Sequence, residues 1–387
     1  MRAGMWLEAL ATRYEVDLLV VPVFGTGSRG APAFVGGLCR SVTVVPPEAL
    51  TRPLAAGMTE AGASPDLLRV FEASIPACLK AVHAVDLDVD VVHAFRLYTA
   101  PVVLALARRA PRARLHLDLD DIESVTHARI AALHERNGLL DAARAEDAEA
   151  RRFADAERDL LPRFQRLYCC SGVDATRLGA LVPTPPAEVC VVPNAVRLPA
   201  ELPIPRTTHP FTFLFVGTVN YAPNLDAVRW FTRRIWPRIH ARAGRPVLFR
   251  VVGRPPDADV SAIARLPGVR LAGEVSDVTL EYGDAGAVVV PLRAGGGTRI
   301  KVIEAFAHRR PVVSTTAGVE GIEAEPGRDL LVADDPDAFA DACLRLIDDP
   351  AFGAALATNA ASLVAARYSQ DVVGALIAAS AGGRTPR

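Results

Sequence analysis

The stretch GAVVVPLRAGGGTRIKVIEAFAH, residues 286–308, decides how the chain is read. AVVVPL reads as a strand, RAGGG as its turn, and TRIKVIEAFAH as a helix with Ile300, Ile303, Phe306 and Ala307 on one apolar face. In open α/β sheets, ligands bind beyond the carboxyl ends of strands, where such turns lie. Gly295, Gly296 and Gly297 would let a ligand approach the backbone closely. Free amides at the start of the helix, beside Thr298, attract an anion. Arg299 and Lys301 add positive charge there, and an arginine grips two phosphate oxygens at once. Glu304 stands three residues after Lys301, on the same side of the helix, where a carboxylate suits the vicinal hydroxyls of a ribose. The same residues also allow a plain strand, turn and helix with flexible glycines. Neither the Gly-x-Gly-x-x-Gly fingerprint nor the Gly-Lys-Ser/Thr phosphate loop is present here.

Outward from this stretch, short apolar runs alternate with helical segments along the whole chain. Examples are VDLLVVPV, VDVVHAF, RLHLDLDD, FTFLFVG, VLFRVVG and RPVVSTT. Hydrophobicity that is continuous rather than alternating fits strands covered on both faces, as in parallel α/β sheets. With 387 residues the chain has room for two cores. Four prolines in LPAELPIPRTTHP, residues 198–210, mark an interdomain linker. The reading is therefore two doubly wound domains, 1–203 and 204–364, followed by a C-terminal helix and tail, 365–387, that pack back on the first.

The totals exclude several classes. Lys and Arg number 43 against 44 Asp and Glu, which argues against a dedicated nucleic-acid binder. Six cysteines without metal-type spacing read as reduced thiols. No apolar run approaches the roughly 20 residues of a membrane span, and the first residues do not form a signal peptide. A cytoplasmic protein is expected, possible contact with the inner face of the membrane being left open. That contact would use the helix LDAVRWFTRRIWPRIHARAGR, residues 225–245, whose six arginines otherwise form a solvated face. The Ala/Glu/Arg-rich stretch 127–164 reads as a helical pair covering the first sheet, or as an arm reaching an acceptor. Residues 4–13 already read as helix ahead of the first strand. Since doubly wound domains open on a strand, a strand and glycine turn upstream of Met1 are expected.

Two polar groups mark the first domain. HLDLDDIES, residues 116–124, ends a strand in Asp118, Asp120, Asp121 and Glu123. Such carboxylates can bind a metal or cap the next helix, and here they are read as orienting an acceptor or sugar without a metal. His93, in VDVVHAF, is read as ending another strand.

Several motifs in order resemble those of retaining GT-B glycosyltransferases of family four. VVPNAV, residues 191–196, resembles the interdomain motif. FVGTVNYAPNLDAVRWF looks like the first strand and loop of the nucleotide domain, VVGRPP like the second, and LAGEVSDV like the strand that meets the base. GGGTRIKVIEAFAHRRPVVSTTAGVEGI looks like the phosphate and ribose segment. The resemblance covers nearly all of the second domain. It implies a GT-B fold, two Rossmann-like domains facing across a cleft, and transfer of a sugar from a nucleotide-diphosphate donor with retention. The acceptor would be a saccharide, a lipid-linked or a small molecule, in polysaccharide or glycoconjugate synthesis. Lys301 and Arg299 would hold the diphosphate and serve catalysis together with Asp120, and Glu304 would hold the ribose. Gly217, Asn220 and Tyr221 would line the cleft, while Gly253, Arg254 and Val275 approach the base. His93, Asp120 and Asp121 would face the acceptor. No tightly bound cofactor and no metal are expected. Where many members carry a Glu eight positions before Glu304, this chain has Gly296. Alternatives are a sugar-nucleotide epimerase of the same fold and an inactive donor-binding scaffold.

Overall fold

The computed structural model describes residues 2–22, 33–51, 66–85, 87–182, 188–201, 210–254 and 263–382. The expected linker lies mostly outside these residues, as do both prolines of VVGRPP. The chain divides into two compact units, one of residues 1–122, 153–192 and 374–387, the other of 123–152 and 193–373.

In the second unit, six parallel strands form one sheet. They are β7 (Phe211–Val216), β8 (Val247–Val252), β9 (Val269–Gly273), β10 (Ala287–Val290), β11 (Val312–Ser314) and β12 (Leu331–Val332). Every residue of β10 is buried, and so are Phe213, Leu214 and Phe215 of β7. Runs apolar on both faces must be covered by helices on both sides, which is why they read as continuous in sequence. The order across the sheet is β12-β11-β10-β7-β8-β9. From β7 the chain steps outward to β9, then returns to β10 and steps the other way. The order therefore reverses between β7 and β10, and their carboxyl ends flank the place where such sheets bind ligands.

The first unit holds two sheets. In chain order the strands are β1 (Asp17–Val20), β2 (Ser41–Val44), β3 (Val91–Phe95), β4 (Arg114–Asp118), β5 (Arg166–Cys169) and β6 (Glu188–Val191). β1 and β2 form a parallel pair, while β3-β4-β5-β6 form a separate parallel sheet. The helix Arg2–Ala11 lies on the second of these, its Trp6 ring 4.5 Å from His93 and 4.6 Å from Tyr168. The end of the chain joins this unit as well. Tyr168 donates its hydroxyl to the Ser380 carbonyl at 3.1 Å, and Tyr14 donates to that of Ala378 at 3.1 Å.

The 127–164 stretch forms the helices Glu123–Arg136 and Leu140–Leu160. Residues 123–152 group with the second unit, whereas the sequence reading placed them over the first sheet. The difference has a physical cause in Arg129 and Asn137, whose partners are Glu320, Asp226 and Arg293.

Among the described residues no helix is long and apolar enough to cross a membrane. On the arginine-rich segment, Arg238 and Arg242 pair with Asp337 and Asp341 of the helix Pro336–Asp348, so part of that positive face is neutralised. Arg233 and Arg234 are exposed.

Candidate functional site

The glycine turn leaves β10 and enters the helix Ile300–Ala307. Gly295 (φ 132°) and Gly297 (φ 59°) adopt backbone conformations that a side chain disfavours. Arg299 is buried, and its guanidinium folds back on the turn. Nη2 donates to the Gly295 carbonyl at 2.9 Å, while Nη1 donates to those of Gly296 and Gly297. In a trans peptide the N–H points opposite to the C=O. Oxygens turned onto Arg299 therefore send the N–H groups of Gly296, Gly297 and Thr298 out along the other edge. Arg299 was expected to grip phosphate; in this structure its guanidinium is bonded to the carbonyls of the turn.

Lys301 stands one step into the helix and is half-buried. Nζ lies 4.2 Å from the centre of the Phe215 ring and donates to Asn224 Oδ1 at 2.8 Å. Burial, helped by the charge of Arg299, lowers its pKa to about 7, against the opposing pull of Glu304. Asn224, itself held by Nδ2 on the Thr218 carbonyl at 2.9 Å, belongs to the helix Ala222–Trp230 that follows β7. Lys301 thus joins the segments after β7 and after β10, across the point where strand order reverses.

Gly217 and Gly253 make this approach possible. A Cβ on Gly217 would stand 2.7 Å from Lys301 Nζ, and one on Gly253 would stand 2.0 Å from the Gly217 carbonyl oxygen. The second clash is with backbone and has no side-chain escape.

One turn after Lys301, Glu304 Oε2 accepts from the Tyr282 hydroxyl at 2.9 Å. Tyr282 stacks on His308 at 4.7 Å with the rings 16° apart. Burial and the nearby carboxylate push the Tyr282 phenol well above its usual range, so it donates to Glu304 rather than ionising. Of the remaining expected contacts, Asn220, Tyr221 and Arg254 are exposed, and Val275 packs against the core. Thr298 is buried, and its hydroxyl has no hydrogen-bond partner among the described residues.

The carboxylate cluster of the first unit is built around arginines. Arg2 Nε donates to both oxygens of Asp118, at 2.9 and 3.0 Å, in a fully buried pair. Arg96 reaches Asp120 at 2.7 Å and Asp121 at 3.2 Å. Asp120 (φ 56°) and Arg96 (φ 73°) both sit in the left-handed region without being glycine, a strain of the kind found where function requires it. The Asp120 N–H donates to Asp118 Oδ1 at 2.9 Å, and the Cys170 thiol donates to the Asp120 carbonyl at 2.9 Å. His93 is the middle residue of β3, not its end. Burial holds it neutral with a pKa lowered to about 3, so it serves as packing under Trp6. Among the described residues, no group of three or more His, Cys, Asp or Glu could hold a metal ion.

Sequence reading missed Arg96 and Tyr282. Neither carries a local signal, because each is defined by a partner 20 or more residues away. Asn224 had one, its place in the first turn of the helix that follows β7.

Two parallel-stranded units with polar strand ends define a class of α/β protein, and the comparisons narrow it. Residues 210–349, which contain the glycine turn, Lys301 and Glu304, match the family described as glycosyl transferases group 1. Sucrose-phosphate synthase from Thermosynechococcus elongatus is similar in structure (TM-score 0.70, 17% identity), over 97% of this chain and 90% of that one. HepE of Anabaena, solved with UDP and glucose, is similar at TM-score 0.59 and 14% identity, over 95% and 99% of the two chains. A glycosyltransferase from Rickettsia africae gives TM-score 0.61 and 12% identity over 94% and 96%. An uncharacterized 44.6 kDa protein in the cps region of Klebsiella pneumoniae is 24% identical over 198 residues, 46% of this chain. The match spans about half of that relative's length. At these identities the structural likeness fixes the fold, which is GT-B, and the matched segment supports glycosyltransferase activity.

Proposed function

We propose that the chain is a glycosyltransferase that moves a sugar from a nucleotide-diphosphate donor to a hydroxyl-bearing acceptor, with retention of configuration. The observation that carries this reading is the half-buried Lys301 ammonium, held by Asn224 over the Phe215 ring on the helix that follows the glycine turn. When the sugar's bond to the diphosphate breaks, negative charge grows on the leaving oxygen. Preorganised amides and a desolvated cation at that place lower the barrier, because they need no reorganisation as the charge appears. Lys301 is then the catalytic cation, Arg299 the residue that orients the amides, and Glu304 the ribose ligand steadied by Tyr282. Gly217 and Gly253 keep the floor of the site open, with Asn220, Tyr221, Arg254 and Val275 toward the base. Asp120 and Asp121, fixed by Arg96, face the acceptor.

UDP-glucose is the first donor to test, since Anabaena HepE is solved with it. The experiment is a thermal-shift screen of nucleotide sugars, followed by product analysis with the anomer assigned by NMR. Lys301→Ala is expected to lose transfer and to weaken donor binding about ten- to a hundredfold, the worth of a charge-assisted phosphate contact. Transfer by Lys301→Ala at the wild-type rate would end this assignment, and inversion at the anomeric carbon would end the retaining one.

A further inference from the structure

The helix Glu123–Arg136 reaches the glycine turn, although 166 positions separate the two in sequence. Arg129 Nη1 donates to the Gly295 carbonyl at 3.0 Å, the same oxygen that accepts from Arg299 Nη2 at 2.9 Å. Glu320 holds Arg129 from the other side with two bonds of 2.8 Å. Just past the end of the helix, Asn137 Nδ2 donates to Asp226 Oδ1 at 2.8 Å, and its Oδ1 accepts from Arg293 Nη2 at 3.0 Å. Arg293 begins the turn, and its Nε donates to Asp226 at 2.9 Å. The turn is therefore held near its start through Asn137 and at Gly295 through Arg129. The two anchors are eight residues apart in sequence, about 12 Å of helix.

We propose that Arg129 is a positioning residue for donor binding: with Glu320 it fixes the Gly295 carbonyl, and through it the direction of the turn's amides. Glycines at positive φ have little rotational preference of their own, so something outside the turn must choose their orientation. A single guanidinium cannot do so alone if Arg299 moves with the turn it holds. Arg129 belongs to a different helix and supplies the fixed reference. Lysine cannot replace it, because one ammonium does not present the planar fork that meets a carboxylate and a carbonyl together.

This inference rests on the donor reading above, and the test separates the two. Full-length wild type, Arg129→Ala, Arg129→Lys and Lys301→Ala are titrated calorimetrically with uridine, guanosine, adenosine, cytidine and thymidine diphosphates. The tightest binder's parent nucleoside is measured by displacement, and melting temperatures are recorded alongside. Both Arg129 variants are expected to bind the diphosphate about ten- to a hundredfold more weakly, the worth of a hydrogen bond to a charged group, with nucleoside affinity unchanged. Full affinity in Arg129→Lys, or equal losses for diphosphate and nucleoside, would overturn the positioning role. Wild-type diphosphate affinity in Arg129→Ala, with Lys301→Ala impaired, would overturn it while leaving the donor site intact. A wild type that binds none of the diphosphates, or a Lys301→Ala that binds them normally, would remove the donor reading and this inference with it.

Discussion

At the scale of single residues, Lys301 carries the proposed chemistry and also a cost. Its folded pKa of about 7 lies well below the roughly 10.4 of an unfolded lysine. Below pH 7 it is charged in both states, so the cost of burying it is fully present. Between pH 7 and about 10.4 the folded lysine is neutral while the unfolded one is still protonated, and the cost fades. Lys301→Met is therefore expected to raise the melting temperature at pH 7 and below, with the gain shrinking as pH rises toward 10. An anion beside Lys301 favours the protonated form, so diphosphate binding should take up a proton above pH 7. Affinity is expected to fall with pH there, approaching about tenfold per unit, and Lys301→Met should flatten the profile. A wild-type profile that stays flat from pH 6 to 9 would contradict the pKa and the contact together. Glu304→Gln keeps the shape and the Tyr282 partner but accepts more weakly. Nucleoside diphosphate affinity should drop about tenfold while pyrophosphate affinity holds, since a ribose contact is absent from the latter. Equal losses would make Glu304 a structural residue.

At the scale of elements, the β3–β5 sheet face under the helix Arg2–Ala11 carries an acid liability. His93 is lowered to about 3 by burial, with His116 and Arg2 adding to the effect. His116 is lowered to about 4 by burial, then by Arg166 and Arg114, with Glu188 opposing. An unfolded histidine titrates near 6.5, so below that pH the unfolded chain binds protons that the folded one refuses. Stability from this face is whole above about pH 6.5 and is lost as pH falls toward 4 and 3, by up to about 1.4 kcal/mol per pH unit for each histidine. Denaturant midpoints of wild type should fall across this window, and those of His93→Phe should fall less steeply. Identical slopes would show that His93 takes up its proton without unfolding. The element itself was legible in sequence, because strands covered on both faces read as unbroken apolar runs. That His93 stands in the middle of β3 was not, since a run of VDVVHAF does not show where pairing stops. Pairing with β4 extends through Phe95 and Asp118, two residues beyond His93.

At the scale of the whole molecule, the glycine turn and the helix that carries Lys301 and Glu304 could be read from one stretch because their spacing is local. What holds them could not. The 127–164 stretch shows its own short-range pairs, such as Arg151 with Asp147 and Arg158 with Asp155, and these say only that it is helical. Nothing in that spacing marks Arg129 or Asn137, whose partners lie 89 to 191 positions away. A domain cut at 204–364 looks complete in sequence, yet it omits 123–152, which group with 193–373. A fragment of residues 193–373 keeps the six-stranded sheet, Lys301, Asn224 and the Arg299 bonds to the turn. It loses Arg129 from Gly295 and Asn137 from Arg293. The fragment should therefore fold and still bind nucleoside diphosphate, but roughly tenfold more weakly than the full chain, the worth of one amide bond to a charged phosphate. Joining residues 123–152 back to it through a flexible linker should restore the difference. Calorimetry on the three proteins decides the matter: equal affinity in all of them would mean that Arg299 alone suffices to shape the turn.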